Sequence, residues 1–341
     1  MCGAPPEESA GAGVILAFGL PRSGTSWLGK LFDSHPEILY LHEPDKEVHR
    51  EDLPVLLPAG PPGGHQNIHR FLARVLANRS PAVTGKRPSF PKSYRSPSRE
   101  MVRNLIGLAA RALPPRLCQR VRVPDLVDPG KPEPRVVWKS INSAGRLGAF
   151  VRALPLSRSI LIVRHPCGQI ASILRGHAAG RFKNPLPSEQ YRVLEALAAT
   201  EQGRAHGITL DKLRALRPVE RMAWRWVLFL EKALKDIAGL ASCRVVRYED
   251  LCADPMERTR ELFSFSGLTW HPQTREFLRA STESECSDYF GIRKDPRRSA
   301  GKWQSELSPD DARRILDIVR RSSASSLYPD GEDAARRGAA S

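Results

Sequence analysis

Hydrophobic residues in this chain fall into short runs whose spacing alternates between two patterns. Val14 to Phe18 is an unbroken apolar run closing at Gly19. After a short turn, TSWLGKLFDSH places Trp27, Leu28, Leu31 and Phe32 on one side at helical spacing, so the segment predicts strand, loop, helix. A second run, ILYL at 38–41, stops at His42-Glu43-Pro44, where the proline forces the chain out of the strand. VVWKS at 136–140 and SILIVR at 159–164 are rich in β-branched residues and predict two more strands. A helix from Ala144 to Leu154 is expected between them, and another opens at Pro166, whose fixed φ suits a first helical turn. A long amphipathic helix from about Glu220 to Leu240 leads into a last strand, CRVVRYEDL at 243–251. Strands alternating with helices in this way predict the α/β class, a parallel sheet flanked by helices on both faces. Residues 1–13 are expected to be a flexible N-terminus, 14–325 a single domain and 326–341 a disordered tail.

Composition narrows the picture. With 341 residues, 41% hydrophobic and 26% charged, the chain can bury a sizeable core, which excludes wholesale disorder, a collagen-like repeat or a small disulfide scaffold. Lys and Arg number 53 against 37 Asp and Glu, a net charge of +16, and only 12 of the 53 are Lys. Arginine suits forked recognition of phosphate, sulfate or carboxylate, although a GC-rich genome gives the same bias. Residues 70–103 alone carry nine Lys or Arg and one acid, with a Ser/Pro-rich stretch between two helical segments. Two readings of that segment stand side by side, a mobile basic wall over an anionic ligand and a solvated loop.

The six cysteines show no C-x-x-C pair, so reduced thiols and no metal site are expected. The first residues, MCGAPPEESAGAG, lack the basic start of a signal peptide. No stretch reaches the roughly 18 apolar residues of a membrane span. A soluble cytoplasmic protein without membrane insertion is therefore the expectation. Nucleic acid is not an expected partner, and oligomeric state is not legible.

Chemistry concentrates in Gly19-Leu20-Pro21-Arg22-Ser23-Gly24-Thr25-Ser26. The G-x-x-x-x-G spacing between a strand and a helix is that of a phosphate-cradling loop, in which backbone N–H groups and a helix N-terminus face the anion. Thr25 stands where a nucleotide-hydrolysing loop has the Lys that reaches the β- and γ-phosphates, which argues against ATP or GTP hydrolysis. Arg22 supplies a cation earlier in the loop. A second anchor is Arg164-His165-Pro166 at a strand end, with Ser172 eight residues beyond the arginine on the following helix. Strand ends on one edge of a parallel sheet share a crevice, so this pair can grip a second phosphate.

These segments resemble the sulfotransferases that use 3′-phosphoadenosine 5′-phosphosulfate (PAPS). PRSGTSWLGKLFDSHPEILYLHEP is similar to the family's 5′-phosphosulfate loop and its continuation, and ILIVRHPCGQIASIL to its 3′-phosphate element. VVRYEDLCADP and RKDPRRSAGKW resemble its Tyr-Glu-Asp-Leu strand end and its late basic loop closing in Gly-x-Trp. Stretches at about 45–130 and 176–218 remain unmatched, as inserts. The resemblance implies a P-loop-like sulfotransferase fold and PAPS as co-substrate, with Arg22, Ser23, Gly24, Thr25, Ser26 and Trp27 at the 5′-phosphosulfate. It places Arg164 and Ser172 at the 3′-phosphate, helped by Arg297 and Arg298, and Tyr248 near the nucleotide. Pro296, Arg297 and Arg298 depart from the Arg-Lys-Gly of the small-molecule branch.

Sulfuryl transfer needs a base for the acceptor proton and cations for charge on the leaving phosphate, and by this logic no metal. Arg22 supplies charge, and Lys139 adds a donor if its strand end faces the crevice. Glu43 and His42 are the candidate bases. Glu43, in a Glu-Pro pair like that of carbohydrate-type sulfotransferases, is preferred, and alternation along a strand is expected to turn His42 away from it. The implied acceptor is a hydroxyl, of a glycan or natural-product alcohol. A P-loop-type small-molecule kinase and a non-catalytic binder of nucleotide or polyanion are the alternatives.

Overall fold

The structure, a computed structural model, describes residues 13–46, 53–58, 65–118, 120–182, 184–282 and 296–329. Each apolar run forms a strand: β1 is Val14–Gly19, β2 Ile38–His42, β3 Arg135–Ser140, β4 Arg158–Val163 and β5 Cys243–Arg247. All pair in parallel, in the order β2-β3-β1-β4-β5. The chain thus adopts the predicted α/β architecture. Successive strand side chains alternate, so Leu16, Phe18, Trp138, Leu161 and Val163 enter one core and Ile15, Ala17, Val137, Ile160 and Ile162 the other.

Helices close both faces. The helix Thr25–Asp33 lays Trp27, Leu28, Leu31 and Phe32 on the Ile15 side, the face its spacing predicts. The opposite side is covered by the helices Leu147–Ala153 and Pro218–Ile237. β1 leaves toward β2 while β4 leaves toward β5, so connections from these adjacent strands diverge and open a crevice at their C-terminal ends.

Two expected boundaries need correction. The run at 243–251 is a strand only to Arg247; Tyr248–Ala253 is a helix, whose first turn carries Glu249 and Asp250, acids that suit a helix N-terminus. The domain boundary at 325 falls inside the fold, because Leu327 packs on the core and the Tyr328 hydroxyl donates to Glu249 at 2.8 Å. The rest of the expected tail, from 330, and residues 1–12 lie outside the described residues. The inserts are also built into the core: Phe71, Leu72 and Val75 of the helix His65–Leu76, and Leu194, Leu197 and Leu213, join the Leu16 side.

The basic segment is neither a mobile wall nor a solvated loop along most of its length. Lys92 donates to Asp33 at 2.9 Å, Arg79 to Asp125 at 2.8 Å and Arg95 pairs with Glu100 at 2.6 Å. Lys30 of the loop's own helix reaches across to the carbonyls of Lys86 at 2.5 Å and Pro88 at 2.9 Å. Much of its charge is thus spent internally as a clasp. Of the cysteines, Cys118, Cys167, Cys243 and Cys252 are free thiols, and Cys167 and Cys252 are buried.

Candidate active site

The loop between β1 and the helix Thr25–Asp33 turns through two left-handed residues, Arg22 at φ 69° and Gly24 at φ 91°. A positive φ at an arginine is strained backbone of the kind that gathers at functional sites. No side chain caps the helix at Gly24, which leaves its first N–H groups for an anion. Glycine at 24 is also required by contact, since a Cβ there would lie 2.4 Å from the Tyr248 ring. Gly24→Ala therefore combines an unfavourable φ with a clash. We expect at least a tenfold loss of nucleotide affinity with the fold retained, read by calorimetry beside circular dichroism.

Two predicted anchors converge on this loop. Arg22 Nε donates to Ser172 Oγ at 3.1 Å, bridging the loop to the helix Pro166–Ala178. Arg164, 8% exposed, donates from Nη1 to the Arg22 carbonyl at 3.1 Å and from Nη2 to the Ser299 carbonyl at 2.8 Å. Its guanidinium lies 4.7 Å from the centre of the Tyr248 ring, and its Nε is buried without a hydrogen-bond partner among the described residues. Such an orphaned donor beside the loop fits an anionic ligand. Tyr248 opens its helix and touches both Gly24 and Arg164, with burial raising its phenol pKa, so it stays a neutral platform.

The neighbours of these groups were not legible in the sequence. Ser23 Oγ lies 3.5 Å from Gln169 Oε1, Trp27 Nε1 donates to Ser281 at 3.3 Å, and Trp226 Nε1 donates to the Arg164 carbonyl at 3.1 Å. Gln169 precedes Ser172 by one helical turn, a spacing that could have placed it on the same face. Trp303, from the late Gly-x-Trp, stacks on His165 at 4.9 Å and brings its segment to the β4 end. Arg297 and Arg298 fall on the short helix Pro296–Gly301, and their side chains lie outside the described residues. Thr25 is buried and Ser26 partly exposed at the start of the loop's helix.

At the end of β2 a second cluster forms at the same C-terminal edge of the parallel sheet. Lys139, 1% exposed, donates to Glu43 Oε1 and does not meet solvent. The Glu43 carboxyl is pulled below its ordinary value, mainly by Lys139 acting against the burial that would raise it, so it is ionised at neutral pH. His42 does not point away. Its Nε2 is 3.8 Å from Glu43 Oε1, because the strand ends at His42 and Glu43 turns to φ 50°, which cancels the alternation. Burial, then Lys139, lowers the His42 pKa to about 3, leaving the ring neutral. Tyr40 O–H lies 2.9 Å from His42 Nδ1, and burial keeps that phenol protonated. Two residues beyond Glu43, Asp45 accepts from Ser140 at 2.5 Å, Ser143 at 2.7 Å and Trp138 at 3.4 Å, fixing the turn that carries Glu43.

Comparison with known proteins gives the family of the chain. A family model described as the sulfotransferase family matches residues 15–272. Carbohydrate sulfotransferase 3 of Mus musculus is 23% identical over 346 aligned residues, covering 89% of this chain and 66% of the relative. Carbohydrate sulfotransferase 5 of Mus musculus is 26% identical over 294 residues, covering 81% of this chain and 70% of the relative. The chain spans just under two thirds of the length of the first of these. A solved sulfotransferase domain from the curacin biosynthetic pathway aligns with 91% of this chain and 97% of its own, at 14% identity and a TM-score of 0.41. The family match runs unbroken from β1 past the β4 crevice and Tyr248, and this chain belongs to the sulfotransferase family.

Proposed function

We propose that this chain transfers a sulfuryl group from PAPS to an acceptor hydroxyl, with Glu43 as the general base. The observation that carries the reading is the junction of Arg22, Ser172 and Arg164, which sets two anion-gripping groups beside one phosphate loop. A mononucleotide with a phosphate at each end of its ribose matches two such grips. PAPS would supply the activated sulfuryl group. The loop N–H groups and Arg22 would hold its 5′ side, and Arg164 and Ser172 its 3′-phosphate. Thr25 is buried, its methyl lying 2.8 Å from where a Gly19 Cβ would be, which disfavours the kinase alternative that requires a lysine here.

For the acceptor proton, Glu43 is favoured over His42 by hydrogen-bond direction. If the buried Tyr40 phenol donates to Nδ1, the imidazole carries its own proton on Nε2, facing Glu43, and has no lone pair to offer there. Lys139 holds the carboxylate ionised and orients it. We take a glycan or natural-product alcohol as the acceptor class, supported by the Glu-Pro after β2 and by relatives named carbohydrate sulfotransferases.

The test is transfer of labelled sulfate from PAPS to a broad panel of hydroxyl acceptors in the presence of EDTA. Transfer should proceed, with turnover flat from neutral pH downward. A carboxylate whose pKa is depressed stays a base until the pH falls through that lowered value, so the acid limb should lie below the ordinary 4.5. An acid limb centred near 6.5 would identify an ordinary histidine as the base. Magnesium-dependent ATP hydrolysis would reverse the reading.

A further inference from the structure

The helix Pro97–Ala112 is built inside out. Arg103 and Ala110 are its buried residues, and Arg103 donates inward to the Thr84 carbonyl at 3.3 Å. Met101, Leu105 and Leu108 stand outward at 65%, 59% and 59% exposure, with Val102 beside them. At 100° per residue these four share one face, opposite Arg103 and Ala110. Beyond the helix, Leu113 and Leu117 are exposed as well. Single exposed apolar residues are ordinary, but an amphipathic helix turning its apolar side to water needs a cover.

Three features decide what covers it. The face is a ridge: side chains this exposed have no walls beside them among the described residues, so they suit a medium that flows around them. The surroundings are cationic, with Arg111, Arg116, Arg120 and Arg122 exposed at its C-terminal end. Arg111 also donates to the Gly85 carbonyl, which fixes the C-terminal end of the helix to the chain beneath it. Finally, residues 97–122 contain one acid, Glu100, and Arg95 already pairs with it at 2.6 Å. A second copy would set these cations against each other, whereas an anionic surface complements them.

We propose that this helix lies in the headgroup layer of an anionic membrane, its Met101–Leu108 face among the lipid tails and its arginines on lipid phosphates. An interfacial helix needs an apolar face and cationic flanks rather than a span. Among the described residues no helix is long and apolar enough to cross a membrane, and surface adhesion requires none. The site crevice is built from other elements, so binding at this helix and at the crevice can be measured separately.

The test is sedimentation of the full chain with vesicles of phosphatidylcholine alone and of equal parts phosphatidylcholine and phosphatidylglycerol. The native chain should sediment with the mixed vesicles and far less with the neutral ones. Leu105→Asp with Leu108→Asp should weaken this at least tenfold while leaving nucleotide affinity and circular dichroism unchanged. Arg116→Gln should weaken it about fivefold, the usual effect of one cation near an anionic leaflet. As a direct reading of depth, Leu105→Trp emission should shift to the blue with mixed vesicles. A native chain that ignores the mixed vesicles overturns the proposal, whether it then pairs with an acidic protein or with itself. Undiminished binding by the double aspartate variant overturns it as well, since contact would then be charge alone.

Discussion

Glu43→Gln is expected to lower turnover by about 10²–10⁴, the range for losing a general base, while the affinity for adenosine 3′,5′-bisphosphate stays at the native level. The amide keeps the shape of the side chain and can still accept from Lys139. What it cannot do is take the acceptor proton. Lys139 is left as a buried group without its counter-charge, and desolvation should drive it toward the neutral form. His42→Ala should reduce turnover far less, because the imidazole is neutral and sits between Tyr40 and Glu43 as a spacer. Steady-state kinetics on both variants, with calorimetry for the nucleotide, separates the roles. A nearly active Glu43→Gln and a dead His42→Ala, both binding nucleotide normally, would move the base to His42 and leave the family assignment intact.

Arg164→Ala is expected to erase most of the preference for adenosine 3′,5′-bisphosphate over AMP. A charge-assisted contact to phosphate is worth about 1.5–3 kcal/mol, roughly ten- to a hundredfold in affinity. The variant also removes the bonds to the Arg22 and Ser299 carbonyls, so some loss toward both nucleotides should accompany it. The diagnostic quantity is therefore the ratio of the two affinities rather than either one. A ratio that stays at its native value would show that the 3′-phosphate is held elsewhere.

Much of the sheet was readable because its chemistry is local. Apolar runs ending at Gly19, His42, Ser140 and Arg164 mark the strands, and the glycine spacing marks the loop. The pairing of Arg22 with Ser172, 150 residues apart, required the β1–β4 adjacency, which only the strand order supplies. Glu43 shows the opposite failure. Alternation along a strand predicted that His42 and Glu43 would diverge, and a single left-handed residue at the strand end undid it. The basic segment misled for a third reason: net charge does not reveal partners, and Asp33 and Asp125, which take up Lys92 and Arg79, lie far away in sequence or beyond the segment. Likewise, the moment of the helix Pro97–Ala112 is visible in its spacing, but its direction depends on what lies beneath, here Thr84 and not a hydrophobic core.

The central claim, that one loop and one strand end together hold a nucleotide phosphorylated on both sides of its ribose, has a direct measurement. The native chain is titrated calorimetrically with adenosine 3′,5′-bisphosphate and with AMP in EDTA. The geometry of Arg22, Ser172 and Arg164 predicts binding of the bisphosphate about ten- to a hundredfold tighter than AMP. Equal affinity for the two would contradict it.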